Sequence, residues 1–188
     1  DAPRTPVANA PAATDRQPAR KKGETVLRQG LLTRAIAEYT RVVEESPQDW
    51  VAVWALADLL VRAGQTERAV EQYLRVADAL HARGALPKAA EAYARVLRLK
   101  PDTEHAQLRS VDIALTRGAA VEARQRLRAL AETRRRGGDF RGAVEAVRRI
   151  ADLAPDDVDA GLAAARASAE SGDTVDATAR LVSLAMRC

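Results

Sequence analysis

The sequence predicts an all-α solenoid of antiparallel helices, and three observations carry that prediction. Ala, Leu, Arg, Glu and Gln dominate the composition, and these residues lose little entropy in a helix. A phrase that opens on Gly, reaches Ala five residues later and then places larger apolar residues returns six times. The phrases are spaced by one or two helix lengths.

Taken from the N-terminus, residues 1–18 hold Pro3, Pro6, Pro11 and Pro18 among Ala, Asn and Thr. Proline lacks an amide donor and restricts the residue before it, so this stretch is expected as a flexible tail or linker. Helices are then expected near 20–29 and 32–46, separated at Gly30; the second carries Ala35, Tyr39 and Val42 and stops at Ser46-Pro47. A helix near 49–63 carries Val53, Leu56-Ala57 and Leu60, and Gly64 ends it. The next, near 66–83, repeats the phrase as Ala69, Tyr73 and Val76 up to Gly84. Pro87 is welcome in the first turn of a helix near 86–100 that carries Ala89, Tyr93 and Val96 and stops at Pro101. Helices near 103–117 and 120–137 follow, split at Gly118, the second carrying Ala123, Leu127 and Leu130. Beyond Gly138 comes a helix near 140–154 with Ala143, Val147 and Ile150, closed by Pro155. The last two, near 157–171 and 174–187, are split at Gly172, and the final one holds Ala177, Leu181 and Leu184.

The phrase has a physical reading. Gly takes the left-handed conformation that ends one helix and turns the chain. The small Ala lets the next helix approach its neighbour closely, and the large residue a turn later fills the gap. Aromatics are only 3% of the chain, so aliphatic and small side chains must supply the core. The anchor residues Ala35, Ala69, Ala89, Ala123, Ala143 and Ala177 are separated by 34, 20, 34, 20 and 34 positions, a 54-residue period of three helices. Segment 50–103 thus repeats as 104–157, and a further unit, 158–188, is cut short.

This Gly-x4-Ala-x3-(large)-x2-(aliphatic)…Pro phrase resembles the second half of a tetratricopeptide repeat (TPR) motif, and the 34-residue steps match its unit. The resemblance covers about residues 19–188, with units near 19–49, 50–103, 104–157 and 158–188 and only the tail 1–18 outside it. In the first-half motif, Leu56-Ala57 and Leu60 after Val53 depart from the family's preferred Leu-Gly and Tyr. The resemblance implies a right-handed α-solenoid of antiparallel helix pairs, about ten helices in all. It also implies that certain positions of each first helix face a ligand. One such position falls on Glu24, Asp58, Asp78, Asp112, Glu132 and then Arg166; another falls on Arg20, Trp54, Leu74, Leu108, Arg128 and Leu162. The residues expected to touch a partner are therefore Trp54, Asp58, Leu74, Asp78, Leu108, Asp112, Arg128 and Glu132, an acidic ladder beside an apolar strip. The 20-residue steps reverse successive first helices, so the carboxylates are not bound to share one face. Family members that clamp a C-terminal carboxylate use Lys, Arg and paired Asn, whereas Asn9 is the only Asn here.

No catalytic constellation assembles. His81 and His105 are not at ligand spacing. Asp102, Glu104 and His105 begin a helix after Pro101, where acids meet the helix dipole favourably. Gly137-Gly138-Asp139 reads as a turn, and Cys188 is the only cysteine, so the chain forms no internal disulfide. The expectation is a protein that is not an enzyme and needs no cofactor or metal. Thirty basic and 26 acidic residues leave a net charge of only +4, a mixed surface that does not demand a polyanion.

Arg124, Arg126, Arg128, Arg134, Arg135, Arg136, Arg141, Arg148 and Arg149 form an Arg-rich stretch over 124–149. Readers of single strands also want stacking rings, and the stretch offers only Phe140. Glu122, Glu132, Asp139 and Glu145 are interleaved as helix-face partners. The expected function is thus a scaffold, one segment of a larger assembly, that binds a peptide or amphipathic helix of another protein. The acidic ladder suits a partner with a basic face. The alternatives are a homo-oligomerising module and, behind it, an RNA-binding helical repeat using 124–149. Leu181, Val182, Leu184 and Met186 on the last helix have no following helix to cover them, which motivates the self-association reading. No run of about 18 apolar residues and no signal-peptide core occurs, so the expectation leans to the cytoplasm. The Ala- and Arg-rich composition leads to the expectation of a bacterial-type protein from a high-GC genome.

Overall fold

A computed structural model describes residues 16–187, with side chains from residue 25 onward. Nine helices and no strand occur among the described residues. They are α1 (Arg16–Glu45), α2 (Trp50–Arg62), α3 (Thr66–Ala82), α4 (Leu86–Leu99), α5 (Glu104–Thr116), α6 (Ala120–Arg136), α7 (Phe140–Asp152), α8 (Val158–Glu170) and α9 (Thr174–Ala185). The all-helical repeat class is the one the sequence predicts. The proline-rich stretch lies outside the described residues up to position 15, and position 18 falls in the first turn of α1.

The start of the repeat differs from expectation. The two helices expected on either side of Gly30 are one helix of 30 residues. A turn costs a helix its continuing hydrogen bonds, and only apolar burial between the two arms offsets that. Among the described side chains near Gly30 such burial is slight: Val26, Leu27 and Leu31 are all more than half exposed. The cost of a helical Gly, about 1 kcal/mol, is then the smaller one.

At the other five phrases the turn forms. Gly64, Gly84, Gly118, Gly138 and Gly172 all take positive φ, between 69° and 85°. Each closes its helix in the same way. At the first, the Gly64 amide donates to Val61 and the Gln65 amide to Leu60; at the last, Gly172 donates to Ala169 and Asp173 to Ser168. This paired closure satisfies carbonyls that the helix end leaves open. The remaining turns hold Pro47, Pro101 and Pro155, so the turns recur as Gly, Gly, Pro along the chain. After Pro47 the Asp49 carboxylate accepts from the amides of Val51 and Ala52, and after Pro155 Asp157 accepts from Ala160.

The chain divides into two compact units, one up to Ala69 and one from Val70. In the first, α1 packs on α2. Ile36 and Val43, two turns apart, are buried on α1, and Val53, Leu56, Ala57 and Leu60 are buried on α2. The second unit runs from within α3 to α9, and α4 to α8 each pack on the next helix in the chain. Its core holds Val111, Leu127, Leu130, Ala146 and Ile150, with Leu108, Leu115 and Leu153 against it. Ala89, Ala123, Ala143 and Ala177 of the repeated phrase are buried, as its physical reading requires. Gly161 plays the same part for α8. A Cβ there would stand 2.6 Å from the end of the Leu184 side chain, so a larger residue would require Leu184 to shift.

Candidate functional site

Three features of the second unit bear on function: a polar cluster on α3, α4 and α5, an Arg-rich set of ties between helices, and a groove along α7.

In the first, the Tyr93 hydroxyl donates to Asp78 at 2.5 Å, and the His105 Nε2 lies 2.7 Å from the same carboxylate oxygen. Burial pushes the Tyr93 phenol well above its ordinary pKa, and the hydrogen bond to Asp78 and the charges of Asp78 and Asp112 push it the same way. The phenol therefore stays a neutral donor. Arg95 stacks over the Tyr73 ring at 5.8 Å. His105 lies in the first turn of α5, where the sequence places it, and from there also ties α5 back to α3.

The Arg residues of 124–149 are mostly engaged. Arg134 pairs with Glu104 at 2.7 Å and donates to the Gly142 carbonyl at 3.0 Å. Arg136 pairs with Asp102 at 3.1 Å, and Arg124 with Asp157 at 3.7 Å. Arg126 reaches Glu122 at 3.4 Å, and Arg135 reaches Glu132 at 2.9 Å, both within α6. Arg148 on α7 pairs with Asp173 at 2.6 Å and Asp176 at 3.0 Å. Its Nε also donates to Ser168, a fully buried hydroxyl that lies 2.6 Å from Asp176. Arg180 joins Asp176 at 2.9 Å to Asp152 at 3.0 Å, so one ionic cluster ties α7, α8 and α9. The hydrogen bond from Ser168 and the Arg180 and Arg148 guanidinium groups hold the Asp176 carboxyl below the usual range. The Asp176 amide and Arg148 do the same for Asp173. Among the described residues, only Arg128, Arg141 and Arg149 of the nine make no ion pair.

The groove lies over α7. Phe140, Ala143, Val144, Val147 and Ile150 fall on one face of that helix and form its floor, about 15 Å long at 1.5 Å per residue. Arg128, Ala131, Glu132 and Arg135 on α6 make one wall, and Ala167, Glu170 and Ser171 at the end of α8 make the other. The cavity is about 450 Å³. Phe140 is 66% exposed at its mouth, where Asp139 caps α7 by accepting from the Gly142 amide. The two walls meet at one end through the Arg124–Asp157 pair.

The expected site residues are thus distributed. Trp54 and Asp58 belong to the first unit and are half-buried. Asp78 and Asp112 lie near the Tyr93 hydroxyl, with Arg109 3.9 Å from Asp112. Leu74 and Leu108 are half-buried, the latter against the core. Arg128 and Glu132 line the α7 groove. Phe140, Val144 and Val147 were not expected there; their 3.6-residue periodicity marks the shared face, and Phe140 stands at the first helical position after a Gly turn.

A tetratricopeptide repeat model matches residues 20–85 and 128–181, more than half of the chain. The chain belongs to the tetratricopeptide repeat family. Solved TPR proteins resemble it at low identity. Residues 41 to the end of MamA from Desulfovibrio magneticus RS-1 are 16% identical over 89% of this chain and 91% of that one, with a TM-score of 0.28. TTC0263, a thermophilic TPR protein of Thermus thermophilus, is 20% identical over 78% and 95%, with a TM-score of 0.28. YrrB, described as a TPR protein with an unusual peptide-binding site, is 14% identical over 78% and 90%, with a TM-score of 0.30. No curated protein matches the sequence. TPR chains are generally non-catalytic scaffolds for protein–protein interaction. Among the described residues no helix of this TPR chain is long and apolar enough to cross a membrane, and no three His, Cys, Asp or Glu side chains are grouped to hold a metal ion.

Proposed function

We propose that this TPR chain is a scaffold that binds a segment of a partner protein in the groove over α7. The observation that carries the reading is the floor itself: apolar side chains from Phe140 to Ile150 in a cavity of about 450 Å³, with charged walls on both sides. An apolar cleft with a few polar groups at its rim is the common form of a recognition site. Each apolar side chain seated there gains about 1.5–3 kcal/mol from burial. The acidic-ladder reading has less support, because Asp78 is held by Tyr93 and His105 and serves the packing of α3, α4 and α5.

The test is selection of peptides from a displayed library on the wild type and on Phe140→Asp, with circular dichroism to show that both are folded. Peptides that bind the wild type and lose tenfold or more on the variant support the groove. Peptides that bind both equally place recognition elsewhere.

Self-assembly keeps one observation in its favour. Val175 and Val182 on α9 and Met186 just after it are 80%, 54% and 83% exposed and line one shallow face. A mass that rises with concentration in sedimentation, and falls with Val182→Glu, favours that reading. Binding of RNA has less behind it, since six of the nine Arg in 124–149 are already paired.

A further inference from the structure

The groove's charges constrain what enters it, and this inference rests on the binding role proposed for that groove. On the α6 wall, Glu132 and Arg135 are paired at 2.9 Å and offer no net charge. Arg128, one turn before Glu132 on α6, makes no ion pair among the described residues, and neither does Glu170 on the opposite wall. The groove therefore has one uncompensated cation and one uncompensated anion. They stand toward opposite ends. The short turn at Gly138 makes α6 and α7 antiparallel, so Arg128 lies toward the Ile150 end of the floor. Glu170 ends α8, which runs back along α7, so it lies toward Phe140. The floor between them is a straight apolar stripe on a helix, walled by two further helices, which is the form that receives a fourth helix.

We propose that the occupant is an amphipathic helix of a partner protein, about three turns long. Its apolar stripe lies on Phe140, Val144 and Val147. An acidic side chain on one flank meets Arg128, and a basic side chain about two turns away on the other flank meets Glu170. The apolar stripe supplies the affinity, while the two charges fix the direction in which the helix lies. A helix inserted the wrong way round would set acid against Glu170 and base against Arg128.

The experiment selects from a displayed library of 14-residue helical peptides on five proteins: wild type, Arg128→Glu, Glu170→Lys, the double reversal, and Phe140→Asp. Arg128 and Glu170 are exposed, so each variant is expected to keep its helices, which circular dichroism checks before selection. The expected wild-type ligands carry apolar residues at three- and four-residue spacing, an acid on one flank and a base about seven positions from it. Each single reversal weakens the wild-type ligands roughly fivefold and changes the selected charge at the facing end only. The double reversal selects ligands of inverted charge. Ligands whose charges do not follow the variants, yet which are lost on Phe140→Asp, overturn the polarity and leave the groove reading standing. Apolar residues enriched at alternate positions overturn the helical form of the occupant. Ligands that survive Phe140→Asp, or no enrichment on the wild type, overturn both readings.

Discussion

Gly30 and Gly118 hold the same place in the repeated phrase, and the backbone uses them oppositely. Gly118 has φ of 69°, whereas Gly30 lies inside α1. An added Cβ meets nothing within 4 Å at either site, so the difference is one of backbone alone. Gly118→Ala is expected to destabilise by about 1–2 kcal/mol, because an L-residue is strained in the left-handed region. Gly30→Ala is expected to stabilise by about 0.5–1 kcal/mol, since it restricts the unfolded chain and suits a helix. Urea denaturation of each variant followed by circular dichroism checks both signs. The phrase could locate these turns in the sequence but not say which of them opens, because that is decided by burial on the two arms. The ionic cluster on α7, α8 and α9 was less legible still. Arg148, Ser168, Asp173, Asp176 and Arg180 come from three helices, and no local spacing relates them. Its consequence appears in acid. Asp173 and Asp176 titrate below their ordinary value of 3.8 in the folded chain, so they stabilise it above the unfolded value and lose that contribution as pH falls through the folded one. Stability is expected to fall as pH goes from about 5 to about 2, and more gently in Asp176→Asn, as measured by thermal melts across that range.

Elements show where periodicity stops being informative. It says which residues share a face of a helix, and it does not say whether a further helix covers that face. Val147 sits where Leu127 sits one phrase earlier; Leu127 is fully buried, while Val147 lies on the open floor of the groove. Tyr73 and Tyr93 fill their places as expected, but Tyr39 is left 39% exposed on α1. On α9 the same division runs along one helix. Leu184 is buried against Gly161, and Val175 and Met186 face outward. Val175→Ser and Met186→Gln are therefore expected to change stability by no more than about 0.5 kcal/mol each. Thermal melts at low protein concentration check this, and a larger loss means that the face is covered in solution.

At the scale of the molecule, the 54-residue period found in the sequence is visible as turns that recur Gly, Gly, Pro, and consecutive helices from α4 to α9 pack on one another. Such an arrangement makes stability a sum of local terms. Val96 on α4 and Leu184 on α9 both lie in the second unit and have no element in common. Their Ala variants are expected to add within about 0.3–0.5 kcal/mol in a double-mutant cycle read by urea denaturation. What the sequence left open here was which surfaces the stack leaves bare, since that depends on side chains from three helices at a time. The five identical glycine closures carry a further consequence, for the making of the chain. Those at Gly118, Gly138 and Gly172 join helices that pack on each other, so no distant stretch of polypeptide has to return before a contact is gained. During synthesis, each helix from α5 to α9 can dock on the one before it as it leaves the ribosome, with little apolar surface waiting for a partner still to be translated.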